Sequence, residues 1–282
     1  MKGELKTSTC TITNPKIVSR DEWLITRKQL LAREKQLTRE RDAIAAERRS
    51  LPWVKVDKAY VFASSSGKKT LSDLFEGKSQ LIVYHFMFGP DWQEGCPSCS
   101  FVMDHTDATL VHLAQRDVAF VAISRAPLAK IEPFKKRMSW RFNWVSSYKN
   151  DFNRDYGVSF TKEELARSDI YNFGTSGHPS EEAPGFSVFY KNGNDVFHTY
   201  STYGRGAETG IHTYNFLDLV PKGRDEGGLY FPMAWVRHHD RYEDGRLADA
   251  AKPYWPAENA SAIEEPESSS SASCCHSGKD HT

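Results

Sequence analysis

The sequence carries no excess of either charge: Lys plus Arg number 37 in 282 residues, and Asp plus Glu also number 37. A chain without a bulk field is not drawn to nucleic acid or to an anionic membrane surface, so neither is expected as a partner. Long apolar runs are missing too. The longest, LIVYHFMF from Leu81 to Phe88, falls far short of a bilayer span and contains His85. The opening MKGELKTSTCTITNPK has no apolar leader segment, and the expected compartment is a reducing cytoplasm. Cysteine is scarce, at five residues. In that compartment a disulfide framework is not expected, and a C-x-x-C spacing reads as catalytic or metal-binding.

What is present is ordinary for a globular chain: 39% hydrophobic and 26% charged residues, over a length that can bury a real core. Residues 1–18 read as a polar, disordered leader. Residues 19–50 read as one long charged helix, opened by a Ser19/Glu22 capping box and closed by Pro52. Trp23, Leu30, Leu37 and Ile44 recur at seven-residue spacing along it. That narrow stripe reads either as a strut on the domain's own surface or as the seam of a homodimer. Residues 51–246 alternate apolar runs with helical stretches, and residues 247–282 turn to Ser, Glu and Pro and read as a disordered tail. Within the folded stretch, residues 79–88 and 118–124 read as strands, 100–116 as a helix, and 127–138 as a helix interrupted by Pro133. Residues 185–201 read as a hairpin turning at KNGN. The fold class that follows is α/β, a mixed central sheet flanked by helices.

The chemistry concentrates at Cys96 and Cys99 in FMFGPDWQEGCPSCSFVMDH. A strand that stops at a loop and passes into a helix beginning at C-x-x-C sets Cys96 near the helix N-cap. Unpaired amides and the positive end of the helix dipole favour a thiolate there, and Pro97 fits the first helical position. A Cys96 thiol brought down from about 8.5 into the range of roughly 3.5 to 7.5 follows. Cys99, one turn on, is then shielded and placed to resolve a mixed disulfide at Cys96.

Several stretches carry a resemblance: GKKTLSDLFEGKSQLIVYHFMFGPDWQEGCPSCSFVMD, VAFVAISRAPLAKIEPFKKRMSWRFNWVSS, DFNRDYGV and APGFSVFYKNGNDVFHTYSTYGRG. From about Ser19 to about Tyr242 the chain resembles a thioredoxin-like family of predicted dithiol-disulfide oxidoreductases. The resemblance implies a thioredoxin-like fold with the dithiol at the start of its first major helix. It also implies that Pro184, ahead of an apolar strand, is a cis-proline facing the dithiol and lining a substrate groove. The chain departs from thioredoxin, having Gly95 before the pair and Pro97-Ser98 within it. It resembles peroxiredoxins in GKKTLSDLFEGKSQLIVYHF, but Gln93 stands where those carry Thr or Ser three residues before the peroxidatic cysteine, which demotes peroxidase activity.

Thiol-disulfide oxidoreduction needs no organic cofactor, since the sulfurs carry the electrons. The expected partners are a thiol or disulfide substrate, protein or small molecule, and a reductase or other redox partner. A rival reading recruits His85, His105 or Asp104 beside the cysteines as zinc ligands, but one C-x-x-C supplies only two of four. Another leaves the pair as packing in a redox-inert adaptor. Trp92, Trp140 and Trp144 read as groove or as core. Arg125, Arg137 and Arg205 read as grips for an anionic substrate or as ion-pair partners, and His85 as a proton acceptor for Cys99 or as a core histidine. Residues 161–182 read as a lid or as an elaborated connection.

Overall fold

Gln80–His85 becomes a central strand because both of its edges are covered. A computed structural model describes residues 15–242; residues 1–14 of the expected leader with Cys10, and the whole of the expected tail with Cys274, Cys275 and His276, lie outside the described residues. In chain order come α1 (Arg20–Arg49), β1 (Val54–Lys55), β2 (Val61–Ser64), β3 (Gly67–Thr70), β4 (Gln80–His85), α2 (Pro97–Thr106) and α3 (Leu110–Gln115). They are followed by β5 (Val118–Ser124), α4 (Leu128–Arg137), β6 (Asn143–Ser146), α5 (Phe152–Asp155), β7 (Gly185–Asn192), β8 (Asp195–Tyr203) and α6 (His212–Leu217). One eight-stranded sheet runs β1-β8-β7-β4-β5-β6-β2-β3. Strands β4, β5 and β6 are parallel, while β7 is antiparallel to β4 and β8 to β7. A parallel pair joined through α2, with an antiparallel hairpin on the other edge of β4 and a helix after it, is the thioredoxin-like arrangement. The fold is therefore α/β and thioredoxin-like, with a mixed sheet and a long helix before it.

The period of two in β4 assigns each residue a side. Leu81 and Val83 enter the cluster with Phe62, Val121, Ile123 and Phe152. Tyr84, Phe86 and Phe88 enter the opposite cluster, with Cys99, Met103, Phe134 and Trp144. Residues 193–194 turn the β7–β8 hairpin, with Gly193 at φ +58°, the left-handed backbone that its sequence tolerates.

Some expectations need correction. The helix expected over residues 100–116 is broken: α2 ends at Thr106, a 3-10 turn covers Asp107–Thr109, and α3 follows. The Asp107 carboxylate is drawn to the backbone amides of Arg141 and Phe142, at 2.7 and 3.0 Å. In contrast, α4 runs unbroken through Pro133. Burial of Ile131 and Phe134 outweighs a proline penalty of roughly 3 kcal/mol. The capping box opens α1: Glu22 N donates to Ser19 Oγ at 3.3 Å, and Ser19 N donates to Glu22 Oε2 at 3.0 Å. None of its residues is buried, so the stripe is not covered by the domain's own surface. Trp23, Leu30, Leu37 and Ile44 stand 45, 48, 57 and 52% exposed.

Candidate active site

The chain leaves β4, loops out over residues 86–95 and returns to start α2 with Cys96 at its N-cap and Pro97 at its first turn. Two backbone bonds close this loop onto the strand end: Phe86 N donates to Ile123 O at 2.9 Å, and Cys96 N to Met87 O at 3.0 Å. The residue before the dithiol must be glycine, because a Cβ at Gly95 would lie 2.6 Å from Phe86 and 2.8 Å from Phe134. An aromatic at this position, as thioredoxin has, is excluded by the same two rings.

Both cysteines are free; Cys96 is partly exposed and Cys99 is buried. The Cys96 thiol is lowered to about 7. The hydrogen bond from the Cys99 thiol contributes most, helped by the amides of Cys99 and Ser98 and by the Ser98 hydroxyl, against the opposing effect of burial. Cys99 moves the other way: burial holds its pKa well above the ordinary thiol value, and its contact with Cys96 adds to this. The Cys99 sulfur accepts from Met87 N at 3.4 Å and from the Tyr84 hydroxyl. Tyr84, Cys99 and Cys96 thus form a chain of donors that ends on the sulfur best able to hold negative charge.

Beside this chain opens a cavity of about 750 Å³, whose walls include Tyr84, Met87, Ser98, Cys99, Val102 and Pro184. Tyr171 braces it from outside. Its hydroxyl donates to Pro184 O at 2.5 Å and accepts from Gly204 N at 2.7 Å, and both of those residues line the cavity. Residues 161–182, the segment read as a lid or a connection, thus contribute a buried prop. A second brace is the strap near Tyr242. His238 is buried and bonds through Nε2 to Gly95 O at 2.9 Å. Arg137 donates to its Nδ1 at 2.7 Å, and also to Glu94 and Asp240, at 2.7 and 2.9 Å.

Of the residues expected around the dithiol, Pro184 and Arg205 line this cavity with Cys99; Arg205 is paired with Glu208, and Pro184 is not cis, since the described residues contain no cis peptide bond. His85 is corrected. The parity that aims Tyr84 at Cys99 turns His85 to the other face, where it is fully buried against Phe152 and Tyr156 and bonded to Ser187 Oγ at 2.8 Å. Burial lowers its pKa to about 3, so it stays neutral there. Trp92 is not among the cavity's lining residues; its indole lies over Gly89, whose Cβ would meet Nε1 at 2.8 Å. Arg125 is committed to Glu182, donating Nε at 2.6 Å, and Glu182 also accepts from Ser159 at 3.1 Å. Trp140 and Trp144 are core residues, their indoles donating to Asp104 and Ser124 Oγ at 2.8 and 2.9 Å. Zinc ligation by His85, His105 or Asp104 is not assembled. His105 bonds Phe101 O and Thr213, and Asp104 accepts from Trp140 and pairs with His239. Among the described residues no group of three or more His, Cys, Asp or Glu gathers as a metal-binding set. Sequence reasoning missed Tyr84, Ser98 and His238. The first was readable from its shared parity with Phe86; the last came through a contact 143 residues away, for which there was no local signal.

Residues 12–242 match a family described as "Bacterial protein of unknown function (DUF899)", and the chain belongs to it. None of the curated proteins matches it. Among solved structures it is similar to the peroxidoxin BcpB from Mycobacterium tuberculosis, at 14% identity and TM-score 0.39, over 58% of this chain and 95% of that one. PrxQ from Xylella fastidiosa is similar at 15% identity and TM-score 0.37, over 56% of this chain and 88% of that one. A 2-Cys peroxiredoxin from Plasmodium vivax is similar at 15% and 0.36, over 55% and 82%. The strand order given above, not these likenesses, establishes the fold.

Proposed function

We propose that this member of the family is a thiol-disulfide oxidoreductase that cycles Cys96 and Cys99 between dithiol and disulfide. One observation carries the reading: adjacent sulfurs at the start of α2 have opposite tendencies, Cys96 lowered to about 7 and Cys99 raised by burial. The first is a nucleophile near neutral pH and the second is held in reserve. Cys96 thiolate attacks one sulfur of a substrate disulfide, forming a mixed disulfide and expelling a thiolate. Cys99 then gives up its proton and attacks the Cys96 sulfur, closing the protein disulfide and releasing the second thiolate. Two electrons pass to the substrate, and a reducing partner of dithiol class restores the pair. Gln93 is exposed and supplies no hydroxyl for orienting a peroxide at Cys96, which supports disulfide over peroxide as substrate.

The unit that does this is residues 51–246, with the helix of residues 19–50 as an arm. No helix among the described residues is long and apolar enough to cross a membrane, in keeping with a cytoplasmic setting. The uncovered stripe on α1 is where a second copy would pack. Trapping tests the function: Cys99→Ser should accumulate mixed disulfides through Cys96, whereas Cys96→Ser should accumulate none. Absence of trapping in both variants, together with a wild-type pair that cannot be oxidised and reduced reversibly, would leave the cysteines as packing.

A further inference from the structure

The cavity beside Cys99 has its own selectivity. Val102, Ala207, Ile211, Pro232 and Met233 give it an apolar lining, and five charged side chains also stand on it. Both cations among them are committed. Arg224 donates Nε and Nη2 to Asp218 at 2.9 and 2.8 Å and Nη1 to Glu208 at 3.2 Å, while its guanidinium lies 4.0 Å from the Tyr214 ring centroid. Arg205 donates to the two oxygens of Glu208 at 3.0 and 3.4 Å. The fifth group, Glu226, accepts on one oxygen from Tyr214 Oη, Met233 N and Trp235 Nε1, at 2.7, 3.0 and 2.7 Å. Two guanidiniums, Arg205 and Arg224, stand against three carboxylates, Glu208, Asp218 and Glu226, which leaves one negative charge in excess.

A substrate carboxylate placed here would meet like charge and would have to break an existing ion pair to find a cation. A substrate cation would have to leave water for an apolar lining whose Glu208 and Asp218 are already paired with arginines and whose Glu226 already holds three donors on one oxygen. An uncharged aromatic or alkyl group meets neither obstacle, and about 750 Å³ is a volume typical of small-molecule sites. We infer that this cavity receives the organic part of an uncharged small-molecule disulfide and disfavours carboxylated disulfides of the glutathione type. The inference rests on the exchange reaction proposed above. The substrate's near sulfur bonds to Cys96 as its own S–S bond breaks, and the departing thiolate takes up the proton that Cys99 releases. Cys99 then displaces the retained group, which leaves the cavity as a thiolate and takes its proton from solvent.

The experiment uses the full chain and three disulfide probes: uncharged dithiodipyridine, dianionic dithiobis(nitrobenzoate) and dicationic cystamine. Each rate of reduction by the reduced protein is divided by the rate with dithiothreitol, which removes intrinsic reactivity. The expected result is a normalised preference for the uncharged probe of about tenfold or more over each charged one. In Ala207→Phe and, independently, Ile211→Trp, both of which fill the cavity, that preference should fall at least fivefold. Equal normalised rates, a preference for a charged probe, or a preference that survives both fillings would overturn the inference while leaving the exchange function standing. Reduction of none of the probes, with no trapping by Cys99→Ser, would sink both.

Discussion

The two faces of the central sheet bury polar groups with opposite results. Toward α2, Cys96 keeps a charged form accessible, its pKa lowered to about 7. Across the sheet, His85 loses its charged form, its pKa lowered to about 3. Cys96 is partly exposed and His85 fully buried, yet burial opposes the charged form of both. Their hydrogen-bond partners differ in kind. Cys96 gathers the Cys99 thiol, two amides at a helix start and the Ser98 hydroxyl. His85 has a single hydroxyl partner, Ser187, and its Nδ1 has no hydrogen-bond partner. The network beyond it, Ser187 to Ser201 at 2.8 Å and Ser201 to His198 at 2.7 Å, is made of groups that satisfy one another while neutral. Burial expels charge unless partners of the matching kind are built in to hold it, donors for a thiolate and acceptors for an imidazolium.

The contrast breaks most strongly in acid. A histidine whose pKa falls from 6.5 unfolded to about 3 folded binds its proton more readily in the unfolded chain. The stability it leaves intact above pH 6.5 is therefore lost as pH falls toward 3. His85→Phe should flatten the pH dependence of urea unfolding in that window by an amount on the order of 4 kcal/mol. Parallel pH profiles for the two proteins would show that His85 is not held neutral.

A smaller effect is expected at the strap. His238→Ala removes the donor to Gly95 O and the acceptor for Arg137, and should cost about 1 to 3 kcal/mol in unfolding free energy. A change within error would mean that the strap does not hold the loop before Cys96. The smallest change in domain stability belongs to α1, where nothing is buried. Leu30→Glu combined with Leu37→Glu should move the unfolding free energy of the domain by less than about 0.5 kcal/mol. Sedimentation of the same variant should show weaker self-association than wild type. Identical association states would exclude the stripe as a seam.

Much of this was legible in advance. The strand–loop–helix around Cys96 and Cys99, the hairpin at Gly193 and the Ser19 cap are local patterns, written in residues that are neighbours in sequence. Of the two readings of His85 the core histidine holds and the place beside the dithiol does not: strand parity, equally local, aims Tyr84 there and His85 away. Trp92 and Arg125, each open to two readings, take up packing and an ion pair and not the groove, for a different reason. Each is held by a partner or packing surface that the spacing of residue types does not encode, Glu182 for Arg125 and the Gly89 backbone for Trp92. Pro133 shows packing overriding a local rule, since the burial of Ile131 and Phe134 carries α4 through it. The His238 contact is invisible to any local reading.

The central claim is that donors at the start of α2 hold Cys96 as a thiolate near neutral pH. Its most direct test is the rate of Cys96 alkylation by iodoacetamide against pH, followed by mass spectrometry, in wild type and in Cys99→Ala. The account predicts a midpoint near pH 7 in the wild type, moving up by about one unit, toward the ordinary thiol value near 8.5, once the Cys99 donor is gone. A wild-type midpoint at or above about 8.5, unmoved by Cys99→Ala, would contradict it.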